Sequence, residues 1–172
     1  KPRRVSAVLL QPDGGLWVAL PGLGLGYLRS DWRAIAQLRK REDGQGLAGG
    51  TYRVVAPAHA GGMWLAAVDG HVERVAASGV AERIAEDIRL QLPTSKPMTM
   101  VEDNLGQLWL FFGRTDLWRI GRDGRLDDWQ VGERPDDLQD GQYTFLEVAG
   151  DGTLWAAIPE MGFEQRDIVT GK

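Results

Sequence analysis

Residues 151–157 read Asp-Gly-Thr-Leu-Trp-Ala-Ala, and residues 13–19 read Asp-Gly-Gly-Leu-Trp-Val-Ala. Two such similar heptapeptides in a chain of 172 residues signal an internal repeat, and the repeat governs how every other segment is read. Aligning the chain on tryptophan gives PDGGLWVAL around Trp17, HAGGMWLAA around Trp64, NLGQLWLFF around Trp109 and GDGTLWAAI around Trp155. Successive tryptophans lie 47, 45 and 46 residues apart. Gly14, Gly61, Gly106 and Gly152 each stand three residues before their tryptophan, and Leu16, Met63, Leu108 and Leu154 stand directly before it.

The grammar of the unit is β. An apolar or β-prone run precedes each tryptophan (Val5 to Leu10, Tyr52 to Ala56, Met98 to Val101, Tyr143 to Val148), and a glycine turn follows it. Asp13-Gly14 and Asp151-Gly152 are favoured short-turn dipeptides, because glycine tolerates the positive φ that such turns require. The tryptophan runs (Leu16 to Leu20, Met63 to Val68, Leu108 to Phe112, Leu154 to Ile158) are continuously apolar, which predicts strands covered on both faces. A third strand is expected at Gly26 to Arg29, His71 to Val75, Asp116 to Ile120 and Phe163 to Asp167, where polar and apolar residues alternate. Outer strands are expected at Trp32 to Leu38, Ala81 to Ile88 and Leu126 to Val131. The first two also have helix-compatible apolar spacing, and repeat context decides for strand.

Four antiparallel strands in a unit of about 45 residues describe a β-propeller blade. The fold class read here is all-β, with blades at about 4–48, 49–93, 94–139 and 140–172, the last incomplete, in one propeller segment. Trp17, Trp64, Trp109 and Trp155 then fill the wedge between neighbouring blades, where a large flat side chain buries much area. An open propeller exposes strand edges and tryptophan-lined faces. The expectation is a segment of a larger propeller that self-associates through its open blade faces, with a strained four-bladed ring as the alternative.

The motif resembles the two-component-regulator propeller repeats of extracytoplasmic sensor regions in bacterial histidine kinases and diguanylate cyclases. VEDNLGQLWLFFGRTDLWRIGRDG (Val101 to Gly124) and LEVAGDGTLWAAI (Leu146 to Ile158) carry the likeness best. The second unit departs from it, with Ala60 in place of the turn acid, and the third has Leu105 there with Asp103 two residues earlier. LWRIGRDGRL is also similar to the streptogramin-lyase-like repeats, a second propeller group.

Composition bounds the partners. With 43% apolar residues the chain can form a core, and a net charge of -4 argues against a phosphate-neutralising nucleic-acid surface. The basic run Arg39-Lys40-Arg41 is followed at once by Glu42-Asp43 and reads as a solvated segment. No apolar run approaches the roughly 20 residues that span a bilayer, so membrane attachment is expected only through a parent protein. The chain opens at Lys1 rather than Met, which reads as a piece of a longer polypeptide, and it contains no cysteine.

A catalytic constellation is harder to find. Gly22-Leu-Gly24-Leu-Gly26 fails the dinucleotide spacing, since Tyr27 stands where the third glycine belongs. His59 and His71 are too few for a histidine-rich metal site, and Asp136-Asp137-Leu-Gln-Asp140 lacks the spacing of a calcium loop, so no metal and no cofactor are expected. Fold logic places a ligand site where blade-connecting loops converge, which nominates Asp69, His71, Arg114, Asp116 and Glu160. The resemblance implies a non-enzymatic sensor, periplasmic or otherwise extracytoplasmic, that binds a small molecule or glycan. The alternatives are a streptogramin-lyase-like enzyme using channel-lining His and Glu, and a plain protein-interaction propeller.

Overall fold

In a computed structural model of the protein, residues 5–30, 35–38, 46–48, 51–76, 78, 80–84, 92, 97–112, 116–129 and 143–170 are described. They form β1 (Ala7–Leu10), β2 (Leu16–Leu20), β3 (Gly24–Leu28), β4 (Ile35–Leu38), β5 (Tyr52–Pro57), β6 (Met63–Ala67), β7 (Val72–Val75) and β8 (Ala81–Arg83) in the first half of the chain. The second half adds β9 (Pro97–Glu102), β10 (Leu108–Phe112), β11 (Asp116–Ile120), β12 (Leu126–Trp129), β13 (Phe145–Val148), β14 (Thr153–Ile158) and β15 (Gly162–Asp167). The strands make four antiparallel sheets in sequential order, β1 to β4, β5 to β8, β9 to β12 and β13 to β15, called blades 1 to 4 below. Two compact units emerge, Lys1–Lys96 with blades 1 and 2 and Pro97–Lys172 with blades 3 and 4.

The hairpin before each tryptophan strand repeats in detail. The amide six residues before the tryptophan donates to the carbonyl two before it: Gln11 to Gly15 at 2.7 Å, Ala58 to Gly62 at 3.2 Å, Asp103 to Gln107 at 2.9 Å and Ala149 to Thr153 at 2.8 Å. The repeat glycine closes the turn by donating back to that first residue, and Gly14, Gly61, Gly106 and Gly152 have φ of 83, 82, 76 and 86°. This is a tight turn completed by a left-handed residue, a geometry that glycine adopts without a Cβ clash. The repeat signature is thus a backbone requirement. Asp13 and Asp151 reinforce it by accepting from the amides of Gly15 (2.9 Å) and Thr153 (3.0 Å).

The outer segments with helix-compatible spacing are strands where they are described: β4 pairs with β3 and β8 with β7. Residues 32–34 and 85–88 of those expectations lie outside the described set. Sheet pairing overrode helical periodicity here, because a strand edge left unpaired by β3 or β7 offers hydrogen bonds an isolated short helix cannot match.

The expectation of strands covered on both faces holds for β10, which is buried at every residue. In β14 and β2 burial alternates instead. Alternation separates two faces of each blade. One, the forward face, carries the repeat tryptophan; the other is the rear face. In unit 2 the forward residues Trp109, Phe111 and Leu117 pack with Leu146, Leu154, Ala156 and Ile158 on the rear of blade 4. In unit 1 the forward residues Trp17, Ala19 and Leu25 pack with Met63, Leu65 and Ala67 on the rear of blade 2. The inner strands sit side by side within each unit, β1 beside β5 and β9 beside β13.

The four tryptophans do not share one environment. Trp17 and Trp109 are buried, Trp64 is half-buried, and Trp155 on the forward face of blade 4 is 37% exposed.

Candidate functional site

Of the residues nominated from sequence, Asp69, His71, Asp116 and Glu160 are described, and they lie on or beside the turns joining the second and third strands of blades 2, 3 and 4. In blade 2 the turn repeats the glycine geometry, with Gly70 at φ 82° and Ala67 accepting from its amide. Asp69 Oδ1 accepts from the His71 backbone amide at 3.4 Å and stands 3.0 Å from His71 Nδ1. Asp69 and His71 therefore come together, as a pair that stiffens its own turn. Asp116 begins β11 opposite Phe112 and is half-buried. Arg114 lies outside the described residues, as do Asp136, Asp137 and Asp140. Glu160 sits exposed in the turn after β14 with φ 69°, a left-handed conformation unusual for a side chain larger than glycine. These positions belong to three separate blades, and the described geometry joins only Asp69 to His71.

Charge at depth is organised elsewhere. Glu73, on the rear of blade 2, accepts from the Tyr52 hydroxyl and from the Ala48 amide at 2.9 and 3.1 Å, holding the chain that enters the blade. Glu164 in blade 4 accepts from the Tyr143 hydroxyl and pairs with Arg166. Tyr143 also stacks on Phe111 of blade 3 with ring centroids 4.1 Å apart. The two pairs share one spacing, 21 residues from tyrosine to glutamate. They stand 91 residues apart, so they recur every second blade. That two-blade period was present in the sequence as a signal but is invisible when blades are aligned singly. Blades 1 and 3 have Val5 with Gly26 and Pro97 with Trp118 at the matching places.

Blade 3 contains the most elaborate network. Buried Asp103 accepts from the amides of Leu105 and Gln107 at 2.9 Å and from Trp109 Nε1 at 2.8 Å. This explains why the third unit can lack a turn acid at Leu105: the carboxylate two residues earlier performs the turn's task and also anchors the tryptophan. Arg119 lies 5.3 Å from the ring centroids of both Trp109 and Trp129, within cation–π range. It donates to Asp127 at 2.7 Å and to the carbonyls of Ile168 and Val169 at 3.0 Å, tying blade 3 to the end of blade 4. Glu73, Asp103 and Arg166 are the buried charged side chains among the described residues, and each is spent on such contacts.

A surface cavity of about 340 Å³ is lined by Thr153, Gln165, Arg166 and Asp167 of blade 4. It lies at the opposite end of β14 from Glu160, so none of the nominated residues lines it. Among the described residues no group of three or more His, Asp or Glu side chains is arranged to hold a metal ion.

Asp151 and Asp167 are held below the usual carboxylate range by hydrogen bonds that favour the charged form. For Asp151 the donors are the backbone amide and then the side chain of Thr153, and for Asp167 those of Thr170, with the Val169 amide weaker. Both groups are exposed turn residues. The shifts report turn geometry.

No protein-family model matches the chain, and no curated protein matches it in sequence. Solved structures do. A catalytically inactive virginiamycin B lyase from Staphylococcus aureus, determined with quinupristin, superposes with a TM-score of 0.68 at 16% identity over 98% of this chain and 57% of its own. The extracellular domain of the one-component system BT4673 from B. thetaiotaomicron gives 0.67 at 15% identity over 98% of this chain and 22% of its own. That of the hybrid two-component system BT3049 from the same organism gives 0.65 at 15% identity, covering 96% and 23%. The chain thus spans little more than half the length of the lyase and under a quarter of the two extracellular domains. At these identities the likeness establishes the fold alone: four antiparallel sheets that match part of a β-propeller.

Proposed function

We propose that the chain is a sensing or interaction propeller from the extracytoplasmic input region of a bacterial signal-transduction protein, binding a small molecule or glycan without catalysis of its own. The observation that carries this reading is the use made of buried charge. A general acid or base must reach a substrate from a cavity with its proton available. Glu73 and Glu164 instead receive tyrosine hydroxyls, and Asp103 receives two amides and an indole. The repeat's resemblance to sensor propellers and the superposition on two extracellular sensor-system domains support the same reading. A ligand acts in such a module by binding one arrangement of the parent protein better than another, and the signal is limited to that difference in affinity.

The test is thermal denaturation against a panel of sugars, oligosaccharides and small organic acids. A ligand at a hundredfold over its Kd stabilises a folded protein by about 2.7 kcal/mol. For a chain of this size that is a rise of roughly 5–10 °C in Tm. Incubation with quinupristin supplies the opposing outcome. Turnover that disappears in His71→Ala or Glu160→Gln would replace sensing with lyase-like chemistry.

A further inference from the structure

Six aspartate–glycine steps stand in the sequence, and four of them fall in described turns: Asp13-Gly14, Asp69-Gly70, Asp123-Gly124 and Asp151-Gly152. Such a step carries its own reaction. The glycine amide nitrogen attacks the aspartyl Cγ of the protonated carboxyl, and the C–N bond forms as a C–O bond breaks. The hydroxyl leaves with the amide proton as water, and a five-membered imide results. Water then opens the ring at either carbonyl, and one product is isoaspartate, in which the backbone runs through the former side chain. Glycine hinders the attack least, because it has no Cβ.

In the folded protein two hydrogen bonds hold the reacting groups apart. The aspartate Oδ1 accepts from the amide two residues on, and the glycine amide, which is the nucleophile, donates to the carbonyl three residues before it. The carboxylate bond is 2.9 Å at Asp13 and 3.0 Å at Asp123 and Asp151, but 3.4 Å at Asp69, beyond the usual range. The glycine bond is 2.9 Å at Gly14 and 3.0 Å at Gly124 and Gly152, but 3.2 Å at Gly70. Asp69 and His71 thus stiffen their turn less than the corresponding residues stiffen theirs. The Asp69 side chain, between β6 and β7 of blade 2, is also 44% exposed.

His71 is the second observation. Its Nδ1 stands 3.0 Å from Asp69 Oδ1 with no hydrogen bond aligned on it, close enough to pass a proton to the departing oxygen once the turn opens locally. The equivalent residues of the other turns cannot do this. Gly15 has no side chain and Arg125 keeps its protons, while Thr153 holds Asp151 as a carboxylate, the form least open to attack.

We infer that Asp69 is a site of intrinsic modification, converted through the imide to isoaspartate with His71 as the proton relay. The product lengthens the backbone by one atom in the turn that the Ala67 amide and His71 carbonyl close at 2.8 Å. That turn lies two residues before Glu73 and its buried contact with Tyr52, so the change reaches the core of blade 2.

The test is incubation of the purified chain at neutral pH for weeks, with isoaspartate located in peptides by electron-transfer fragmentation and the imide seen as a species lighter by one water. Conversion at Asp69 is expected to be several-fold faster than at Asp13, Asp123 or Asp151 in folded protein, and similar at all four in urea. A rate at Asp69 no greater than at Asp123 would overturn the inference, as would the same ranking in urea, which would assign the difference to local sequence. His71→Gln separates relay from restraint. Loss of the relay slows conversion at Asp69 several-fold, whereas an unchanged or faster rate would show that His71 only braces the turn and would overturn its assigned role.

Discussion

The forward faces of blades 3 and 4 have the same backbone register and the same tryptophan, yet one is core and the other is surface. Trp109 is enclosed by the rear of blade 4, by Trp129 and Arg119, and by a carboxylate at its indole nitrogen. Trp155 shares its face with Phe145 and Phe163, which both pair with Ala157 two residues along, and all three are exposed. A repeat therefore encodes a sticky face rather than a buried residue. Burial is supplied by whichever blade comes next, and that neighbour also determines what each substitution costs.

The largest expected effect sharpens this contrast. Trp109→Ala should lower unfolding stability by roughly 3–5 kcal/mol, as for large core aromatics, and Trp155→Ala by about 1 kcal/mol when measured by urea denaturation at concentrations too low for association. Equal losses would show that the two faces are equally covered. Next, Asp103→Ala strands two turn amides and an indole and should cost about 2–4 kcal/mol, with a blue shift in tryptophan emission as the indole loses its acceptor.

The converse substitution transfers that advantage to blade 1. Trp17 Nε1 is buried without a hydrogen-bond partner among the described residues, and Gln11 occupies the place of Asp103. Gln11→Asp should add about 1 kcal/mol, read as a higher urea midpoint at unchanged slope. Glu160→Gly relieves a left-handed backbone and should add about 0.5–1 kcal/mol, an effect confined to the turn of blade 4.

The smallest effect is in acid. Asp151 and Asp167 have carboxyls depressed below their unfolded value of about 3.9 by the turn donors of Thr153 and Thr170. Their contribution is present above that value and lost as pH falls through the lower folded one. Thr153→Val and Thr170→Val should therefore shallow the fall in Tm below about pH 4 relative to wild type, while leaving the pH dependence between 6 and 8 unchanged.

Much of the fold was legible because the repeat turn is a local requirement. Gly14, Gly61, Gly106 and Gly152 mark left-handed positions that no tertiary contact is needed to explain, and strand positions follow from them. The sidedness of the strands was less legible. Continuous apolar runs at β2 and β14 suggested cover on both faces, but Leu16 and Val18 are only half-buried and Trp155 is exposed, since composition does not say whether a neighbouring blade is there. The site was least legible. Asp69 and His71 are close in sequence and meet in one turn, whereas the tyrosine–glutamate pairs and the Arg119 clamp join residues 21 to 50 positions apart. Such pairings depend on strand register and blade order, which a motif search around tryptophan does not sample.

The central claim is that the cover of a repeat tryptophan is set by the blade face packed on it and not by the repeat itself. The most direct measurement is acrylamide quenching of two single-tryptophan variants, one keeping Trp109 and one keeping Trp155. The account expects Trp155, 37% exposed, to be quenched several-fold more strongly than Trp109, which is fully buried. Equal quenching of the two would contradict it.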